Sequence, residues 1–341
     1  MMSETHEIYK EILQDLLMKS DDFDYTSLGQ YSDASRQTTF SNGNWVIYSV
    51  AIKNRMRAFA IPIEETYDGK RFPQWKGVAI EIVTIPEYTR NHQRYIELRQ
   101  MPGTEAYIFE IVVEDLRRGI KRAHPSSDII DITQKILKKW KDFFSEGKKP
   151  VLAEKETQGL YGELMFLNEL IQKIGLNSVN FWFGKRHTHD FYIGQNAVEV
   201  KTSVSQAPYY AHINSEYQLD TNDVTADLYL KMYIFRKDSI GGQRLSELIK
   251  NIRRQLKCDE FALDTFNNKL EENGYFDVAE DYYQIGYTIR DSFSFKVEKG
   301  FPRLIKENLP KGIYHIEYDV SVSECMDYAI DANELLKKIE V

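Results

Sequence analysis

Two runs of sequence decide the fold of this chain: QGLYGELMFLNELIQKIG at residues 158–175 and HDFYIGQNAVEVKTS at residues 189–203. In the second run, β-prone residues lie on both sides of a Gly-Gln-Asn triplet at residues 194–196, which favours a tight turn. The run therefore predicts a β-hairpin. Side chains two positions apart on a strand point to the same face, so Glu199 and Lys201 are expected to share one face of the second strand.

The first run has the spacing of an amphipathic helix. Its leucine and isoleucine side chains recur every three or four residues, and Glu163 lies at the shoulder of this apolar stripe, three residues after Leu160 and four before Leu167. A carboxylate in that position is costly unless it is paired or bound to a metal. Gly159 and Gly162 would allow the helix to pack closely on a sheet.

The hairpin and the helix together predict a metal site. Asp190 begins the first strand, so a tight turn brings it level with residues 199–201 of the second strand. Two carboxylates that face each other across a strand pair repel unless a cation lies between them. Hard oxygen ligands with few sulfur or imidazole donors nearby favour Mg²⁺, or Mn²⁺ in its place, over Zn²⁺.

At four positions the sequence resembles the PD-(D/E)XK nuclease superfamily. Glu163 matches the helix acid, Asp190 the first acid of the motif, and Glu199-Val200-Lys201 the (D/E)XK element, while His189 stands where the motif has proline. The resemblance implies an α/β (α+β) fold with a restriction-endonuclease-like core, in which a mixed β-sheet is flanked by helices. It also implies that Glu163, Asp190, Glu199 and Lys201 are catalytic and that the three acids hold the metal.

The resemblance extends beyond the core motif. GLYGEL, HDF, VEVKTS, SEYQL and FPRL are together similar to one bacterial family of this superfamily, found in restriction-like and phage-defence gene sets, over roughly residues 150–320. It implies a substrate-binding role for Gln218 in SEYQL and for Arg303 in FPRL. The residues alone leave two alternatives open: Ser215 could begin a helix-capping segment that contains Gln218, and Arg303 could be an ordinary arginine after a proline.

The acid-x-lysine triplet has little specificity by itself. It occurs at residues 68–70, 146–148 and 199–201, and the first two copies lie in polar turns that contain glycine. Only the third has a β-strand, an upstream aspartate on a paired strand and an acidic helix before it. The alternative interpretation of the third copy is a hairpin that carries solvated charges.

Composition predicts a soluble globular protein of several compact units. The chain has 341 residues, of which 42% are hydrophobic and 28% charged, and its net charge is −8. An acidic chain can contact nucleic acid only through local basic patches. No run is long enough for a membrane span and the N-terminus does not resemble a signal peptide, so we expect no membrane association and a cytoplasmic location.

Three domains are predicted: a β-rich N-terminal module with flanking helices at 1–150, for DNA or partner binding, the nuclease core at 151–240, and a C-terminal α/β extension packed on the core at 241–341. Gly147 and Pro150 beside charged residues mark the first boundary. The pair Arg55 and Arg57, with Trp75 and Lys76, could form a stacking and phosphate surface, or simply keep an edge strand soluble. Strands are expected at 45–52, 56–63, 78–85, 95–101, 107–112, 227–235, 282–289, 293–297 and 313–320, and helices at 5–18, 129–144 and 260–271.

The function that this sequence favours is a Mg²⁺-dependent DNA endonuclease of a restriction or phage-defence system. No Walker lysine loop is present, so any translocation needs a partner such as an ATPase, and a methyltransferase of the same gene set is a second expected partner. Cutting both strands would favour a symmetric homodimer. The alternative is a catalytically idle DNA-binding or scaffolding subunit of a defence complex.

Overall fold

The computed structural model describes residues 3–19, 31–39, 46–52, 56–63, 72–84, 94–122 and 129–339. The chain forms two compact units, Met1–Pro150 and Val151–Val341. The division falls directly after helix Ile129–Ser145, where Gly147 has a φ of 70° and Pro150 ends the segment. Among the helices described, none combines the length and the apolar character needed to cross a bilayer.

In its described residues, the first unit forms a five-stranded antiparallel sheet and three helices. The sheet has the order β1-β2-β3-β5-β4. Four predicted strands (45–52, 56–63, 78–85 and 95–101) and two predicted helices (5–18 and 129–144) are confirmed within one or two residues, because apolar residues recur at strand or helix spacing and turn-forming residues separate the strands. The elements are α1 Glu4–Lys19, β1 Tyr31–Thr39, β2 Val46–Ile52, β3 Met56–Ile63, β4 Val78–Thr84, β5 Arg94–Gln100, α2 Ala106–Arg122 and α3 Ile129–Ser145.

The strand predicted at residues 107–112 is wrong, because these residues belong to helix α2. Their β-prone composition is one part of a longer amphipathic pattern. Phe109, Val112, Val113, Leu116 and Ile120 recur every three or four residues and are all buried. A six-residue window contains too little of that period to separate a buried strand from a buried helix.

Of the four residues considered for a stacking and phosphate surface, Arg55 lies outside the described residues and Lys76 is exposed, while Arg57 and Trp75 have contacts within the unit. Arg57 Nε lies 2.7 Å from Oε1 of the buried Glu110, so its charge is neutralised inside the unit. The Trp75 ring stacks on Phe144, with 6.0 Å between centroids and an interplanar angle of 25°. Both side chains therefore contribute to packing.

The second unit is built on a mixed sheet of order β10-β11-β9-β7-β6, in which β7 and β9 are parallel and the other pairs antiparallel. Strands β8 and β12 form a separate two-stranded sheet. The elements are α4 Glu154–Ile174, β6 Phe191–Ile193, β7 Asn196–Ser203, β8 Tyr210–Ile213, β9 Leu228–Lys237, β10 Gln243–Arg244, α5 Leu245–Leu256, α6 Glu260–Glu272, β11 Gly286–Val297, β12 Tyr318–Ser321 and α7 Ala332–Lys338, with 3₁₀ helices at Leu176–Phe181, Gly184–Arg186, Asp277–Tyr282, Lys306–Asn308 and Val322–Tyr328.

The residues after 240 take part in this same sheet, because they supply β10 and β11. The strands expected at 282–289 and 293–297 are one strand with an irregularity between Ile289 and Asp291. The strand expected at 313–320 is limited to its last three residues and Ser321. Residues 215–218 form a turn rather than the start of a helix.

Helix α4 packs on β7 at very short range because Gly162 has no side chain. A Cβ atom at Gly162 would lie 2.2 Å from Thr202 Cγ2, far inside normal contact distance, and 3.7 Å from Val200 Cγ1. Helix and strand are thus in contact close to both Glu163 and Lys201, which follow Gly162 and Val200 directly. The same helix has a second glycine, Gly159, where a Cβ atom would meet open space.

We expect Gly162→Ala to lower the free energy of unfolding by about 1 to 3 kcal/mol, because an added methyl group must push the helix and Thr202 apart. Gly159→Ala is the matched control. It should be neutral or stabilising by up to about 1 kcal/mol, because alanine is the better helix former and nothing obstructs it. Urea denaturation of both variants measures the difference. Equal stabilities would show that α4 does not depend on the close approach at Gly162.

Candidate active site

The β6–β7 hairpin brings Asp190 and Glu199 side by side, as the sequence predicts. Phe191 pairs with Val198, so the residues just outside this pair, Asp190 and Glu199, come level with each other. The Val200 amide donates a 2.8 Å hydrogen bond to Asp190 Oδ2 and fixes that carboxylate against β7. The two-residue turn at 194–195 therefore sets the distance between two acids that are nine residues apart in sequence.

Lys201 is held between a carboxylate and an amide. Its Nζ atom lies 2.9 Å from Glu199 Oε1 and donates a 2.7 Å hydrogen bond to Gln218 Oε1. The same Gln218 oxygen accepts a 2.8 Å hydrogen bond from the Asn214 amide. Glu199 is 1% exposed and Lys201 8% exposed, so this ion pair is almost completely removed from water.

Glu163 points from α4 into the same group of charges. The Nε1 atom of Trp182, which is fully buried, donates a 2.7 Å hydrogen bond to Glu163 Oε2. Burial, reinforced by the negative charge of Glu199, raises the pKa of Glu163 to about 7, although the Trp182 hydrogen bond acts in the opposite direction. A carboxyl group with that pKa is partly protonated at neutral pH.

Asp190 is perturbed in the same direction. Burial raises its pKa well above the usual range, and the charges of Glu199 and Glu163 raise it further, against the lowering effects of Lys201 and the Val200 amide. The three carboxyl groups therefore affect one another strongly, with one ammonium group among them. This arrangement of like charges is expensive in a folded protein unless protons or a cation neutralise it.

His189 connects this cluster to the surface. Its Nε2 atom lies 3.2 Å from Asp223 Oδ1, and Tyr192 donates a 3.1 Å hydrogen bond to the second oxygen of the same aspartate. Its Nδ1 atom lies 3.9 Å from Glu199 Oε2. Burial lowers the pKa of His189, but the two carboxylates outweigh it and raise the pKa above the ordinary histidine value.

The donor set fits a hard divalent cation. Glu199 Oε2 is buried and has no hydrogen-bond partner, and the three carboxyl groups repel one another. In the described part of the chain, no three His, Cys, Asp or Glu side chains are already grouped as metal ligands. The second oxygen of Glu199, Oε1, is paired with Lys201 rather than directed towards the other two acids. A cation held by Glu163, Asp190 and Glu199 would thus require side-chain rotation while relieving the repulsion.

The two residues for which the family resemblance implied substrate binding have structural contacts here. Gln218 positions Lys201 through the hydrogen bond described above. Arg303 donates a hydrogen bond from Nη1 to the backbone carbonyl of Leu219, the residue after Gln218. No contact described in the structure joins Arg303 to the four charged residues, so its substrate-binding role stays a prediction.

Two residues near the acids were not predicted: Trp182, which contacts Glu163 directly, and Lys269, which contacts the segment that carries Trp182. Trp182 lies in the aromatic run FWF at residues 181–183, which precedes the hairpin and could have indicated a buried support for it. Lys269 lies on α6 and contacts the same segment, 87 residues away from Trp182 in sequence. Nothing in its sequence neighbourhood indicates that contact.

We expect Glu163→Gln to change how the stability of the metal-free protein depends on pH. Because the folded-state pKa of Glu163 is raised to about 7, wild-type protein loses the stabilisation from this group as pH rises from the ordinary glutamate value of 4.5 towards 7. Glutamine has no proton to lose and can still accept from Trp182, so the variant should melt higher than wild type above about pH 7.

Melting temperatures between about pH 5 and pH 8, with chelator present, check this expectation. Glu156→Gln on the same helix is the control. The pKa of Glu156 is lowered, despite its partial burial, by Lys185 and by the Ala153 amide, so its contribution is lost as pH falls. If Glu163→Gln and wild type showed the same pH dependence, Glu163 would not be the perturbed acid.

A mixed sheet flanked by helices, which carries an aspartate, an E-x-K strand and a helix acid in one cluster, defines a PD-(D/E)XK nuclease-like protein. The chain itself belongs to the family described as "Putative PD-(D/E)XK family member, (DUF4420)", whose model matches residues 24–323. The match covers most of both units. No curated protein and no solved structure matches the chain significantly.

Proposed function

We propose that this protein is a Mg²⁺-dependent DNA endonuclease that hydrolyses phosphodiester bonds. The observation that carries the proposal is the buried Lys201 ammonium group, held 2.9 Å from Glu199 and 2.7 Å from Gln218 beside two acids whose pKa values are raised. A purely structural ion pair does not need further carboxyl groups in the same buried cluster. Strongly perturbed groups that converge in this way are typical of active sites.

The three acids would hold the cation, with Mn²⁺ able to replace Mg²⁺. When bound, the cation supplies charge neutralisation at the phosphate and lowers the pKa of a water molecule. Lys201 contributes the second positive charge, which stabilises the negative charge that develops on the phosphate oxygens in the transition state. Gln218 keeps the ammonium group in place, and burial of the pair strengthens its electrostatic effect.

His189 fits this function because its buried ring lies between two carboxylates, with Nδ1 near Glu199 and Nε2 near Asp223. The Asp223 carboxylate is exposed and the Glu199 carboxylate is buried, so the imidazole separates water from the cluster. The low exposure of Glu199 and Lys201 makes the charge of Lys201 more effective. The histidine that replaces the motif's proline therefore contacts both Asp223 and Glu199.

The family resemblance supports a role in a restriction or phage-defence system, with DNA as substrate and with ATPase or methyltransferase proteins as partners. The N-terminal unit then serves DNA or partner binding. Double-strand cleavage would be achieved by a homodimer with two active sites. An idle DNA-binding or scaffolding subunit is the outcome to which a failed cleavage test would point.

The test is a cleavage assay on supercoiled, linear and methylated DNA and on RNA, with Mg²⁺, Mn²⁺, Ca²⁺ or chelator. We expect cleavage of at least one DNA form in Mg²⁺ or Mn²⁺ and none with chelator. Nicked and linear products of the supercoiled substrate distinguish single-strand from double-strand cutting. DNA binding without cleavage under any of these conditions would support the scaffolding subunit instead.

A further inference from the structure

The segment of residues 179–185, between α4 and β6, contacts two of the three acids. Trp182 Nε1 donates to Glu163 Oε2 at 2.7 Å. The Phe183 amide donates to the backbone carbonyl of Asp190 at 2.8 Å. A displacement of this segment would therefore change the partner of one acid and the backbone position of another.

Helix α6 holds the segment through one ammonium group. Lys269 Nζ donates to the carbonyls of Val179 at 3.0 Å, of Asn180 at 3.1 Å and of Trp182. A lysine ammonium group has three donors, so these carbonyls use its full capacity. Val179 and Asn180 lie in the last turn of the 3₁₀ helix Leu176–Phe181 and Trp182 directly follows it, so Lys269 supplies hydrogen bonds at a helix end. The Val179 carbonyl also accepts a 3.4 Å hydrogen bond from the Trp182 amide.

The end of α6 contributes a second contact. Asn273, directly after the helix, accepts a 3.2 Å hydrogen bond from the Lys185 amide through Oδ1. A Cβ atom at Gly184, whose φ is +58°, would lie 2.3 Å from that oxygen, so only glycine allows this approach. Lys269 Nζ also lies 4.8 Å from the centroid of the Phe183 ring. The segment is thus held at both of its ends by one helix.

The hydrogen bonds of the Lys269 ammonium group described above all go to residues of the segment and none to helix α6. Burial lowers the pKa of Lys269 to about 8, against the raising effect of Glu272. Lys269→Met would keep the length of the side chain and remove all three donors. The three carbonyls would then have to find other partners, and the segment would be free to shift.

We propose that Lys269 is a positioning residue of the candidate active site, which sets Glu163 and Asp190 by fixing the segment that carries Trp182. The proposal rests on the proposed function only for its effect on catalysis. Its effect on the segment and on the binding of a divalent cation is independent of whether the protein cleaves DNA. Residues that orient metal ligands typically change metal affinity or activity by about 10- to 100-fold when replaced.

The first test follows Trp182 directly by ¹⁹F NMR of protein labelled with 5-fluorotryptophan. The chain has four tryptophans, so four resonances are expected, and Trp182→Phe assigns the relevant one. Lys269→Met should shift or broaden the Trp182 resonance and leave the other three unchanged. Lys257→Met, which removes an exposed lysine after α5, is the control and should change none of them.

The second test measures Mn²⁺ affinity by calorimetry in a double-mutant cycle of Lys269→Met and Trp182→Phe. Each single variant should weaken Mn²⁺ binding by about tenfold or more at a temperature where its melting curve shows it to be folded. Because Lys269 acts through Trp182, the double variant should be no weaker than the worse single variant. If the protein cleaves DNA, kcat should fall in parallel while KM for DNA stays the same.

Several outcomes would overturn the proposal. An unchanged Trp182 resonance and unchanged Mn²⁺ affinity in Lys269→Met would show that the segment holds its position without α6, and additive effects in the cycle would show that Lys269 does not act through Trp182. If Lys269→Met fails to fold, Lys269→Arg, which keeps charged donors, takes its place. An arginine variant that melts normally but loses as much Mn²⁺ affinity as Trp182→Phe supports the proposal. Normal Mn²⁺ affinity together with an unmoved Trp182 resonance contradicts it.

These measurements distinguish a failure of the proposed nuclease function from a failure of the proposal about Lys269. If wild type binds Mn²⁺ but cleaves nothing, the nuclease proposal fails while the cycle in Mn²⁺ affinity still decides the role of Lys269. If wild type does not bind Mn²⁺, the metal site itself is wrong, and the Trp182 resonance alone decides whether Lys269 fixes the segment.

Discussion

Lys201→Ala is expected to slow DNA cleavage by about a hundredfold to a thousandfold, because removing one preorganised electrostatic contact from an active site typically costs that much. The ammonium group is 8% exposed and lies between Glu199 and Gln218, so water cannot take over its role. The variant should fold, because Val198 and Val200 of the same strand are buried on the opposite face. DNA affinity should change little, since only one of many charges is lost.

Single-turnover cleavage rates and DNA dissociation constants measured together check this prediction. Lys201→Arg should fail as well, because a planar guanidinium group does not fit the position of a compact ammonium group. Lys250→Ala is the matched control: that side chain is 57% exposed and pairs with Glu280 at 2.8 Å, so its loss should leave the rate within about twofold. A wild-type rate in Lys201→Ala would remove Lys201 from the mechanism.

Asp190→Ala combined with Glu199→Ala is expected to abolish Mn²⁺ binding, with an affinity loss of more than about a hundredfold. Glu199 is buried and Asp190 lies level with it on the neighbouring strand, so without them Glu163 is the one predicted metal ligand that remains. Wild type, in contrast, should melt at a higher temperature when Mn²⁺ or Mg²⁺ is added, because a ligand that binds only the folded state stabilises it. Isothermal calorimetry and thermal melts measure the two effects.

Glu317→Ala combined with Asp319→Ala is the control for that experiment. These acids lie beside His212 on and next to β12, but their side chains are 67% and 62% exposed, so a cation gains little there. Mn²⁺ affinity should stay at the wild-type value. Equal Mn²⁺ binding by wild type and by the Asp190→Ala, Glu199→Ala variant would show that the metal site lies elsewhere.

The local part of this site could be predicted because its geometry follows from short-range spacing. Glu199 and Lys201 are two apart on one strand, and a two-residue turn fixes Asp190 against them. The helix acid follows from a strong apolar period in α4. The support from Lys269 could not be predicted, because its contact with Trp182 joins segments that are 87 residues apart, and no local pattern encodes it.

The error in helix α2 has a related physical cause. Residues 107–112 contain aromatic and β-branched side chains, which have a high intrinsic preference for strands, and the predicted strand follows from that preference. The observed helix is decided by the longer pattern through Ile120, which buries one face. Tertiary burial therefore outweighs local preference where the two disagree.

Cleavage of supercoiled DNA by wild type and by the Asp190→Ala, Glu199→Ala variant, each with Mg²⁺ and with chelator, tests the central claim most directly. The claim is that Glu163, Asp190, Glu199 and Lys201 form a metal-dependent nuclease site. It predicts nicked or linear DNA only for wild type with Mg²⁺. Cleavage by the double variant at the wild-type rate, or cleavage by wild type that persists in chelator, would contradict it.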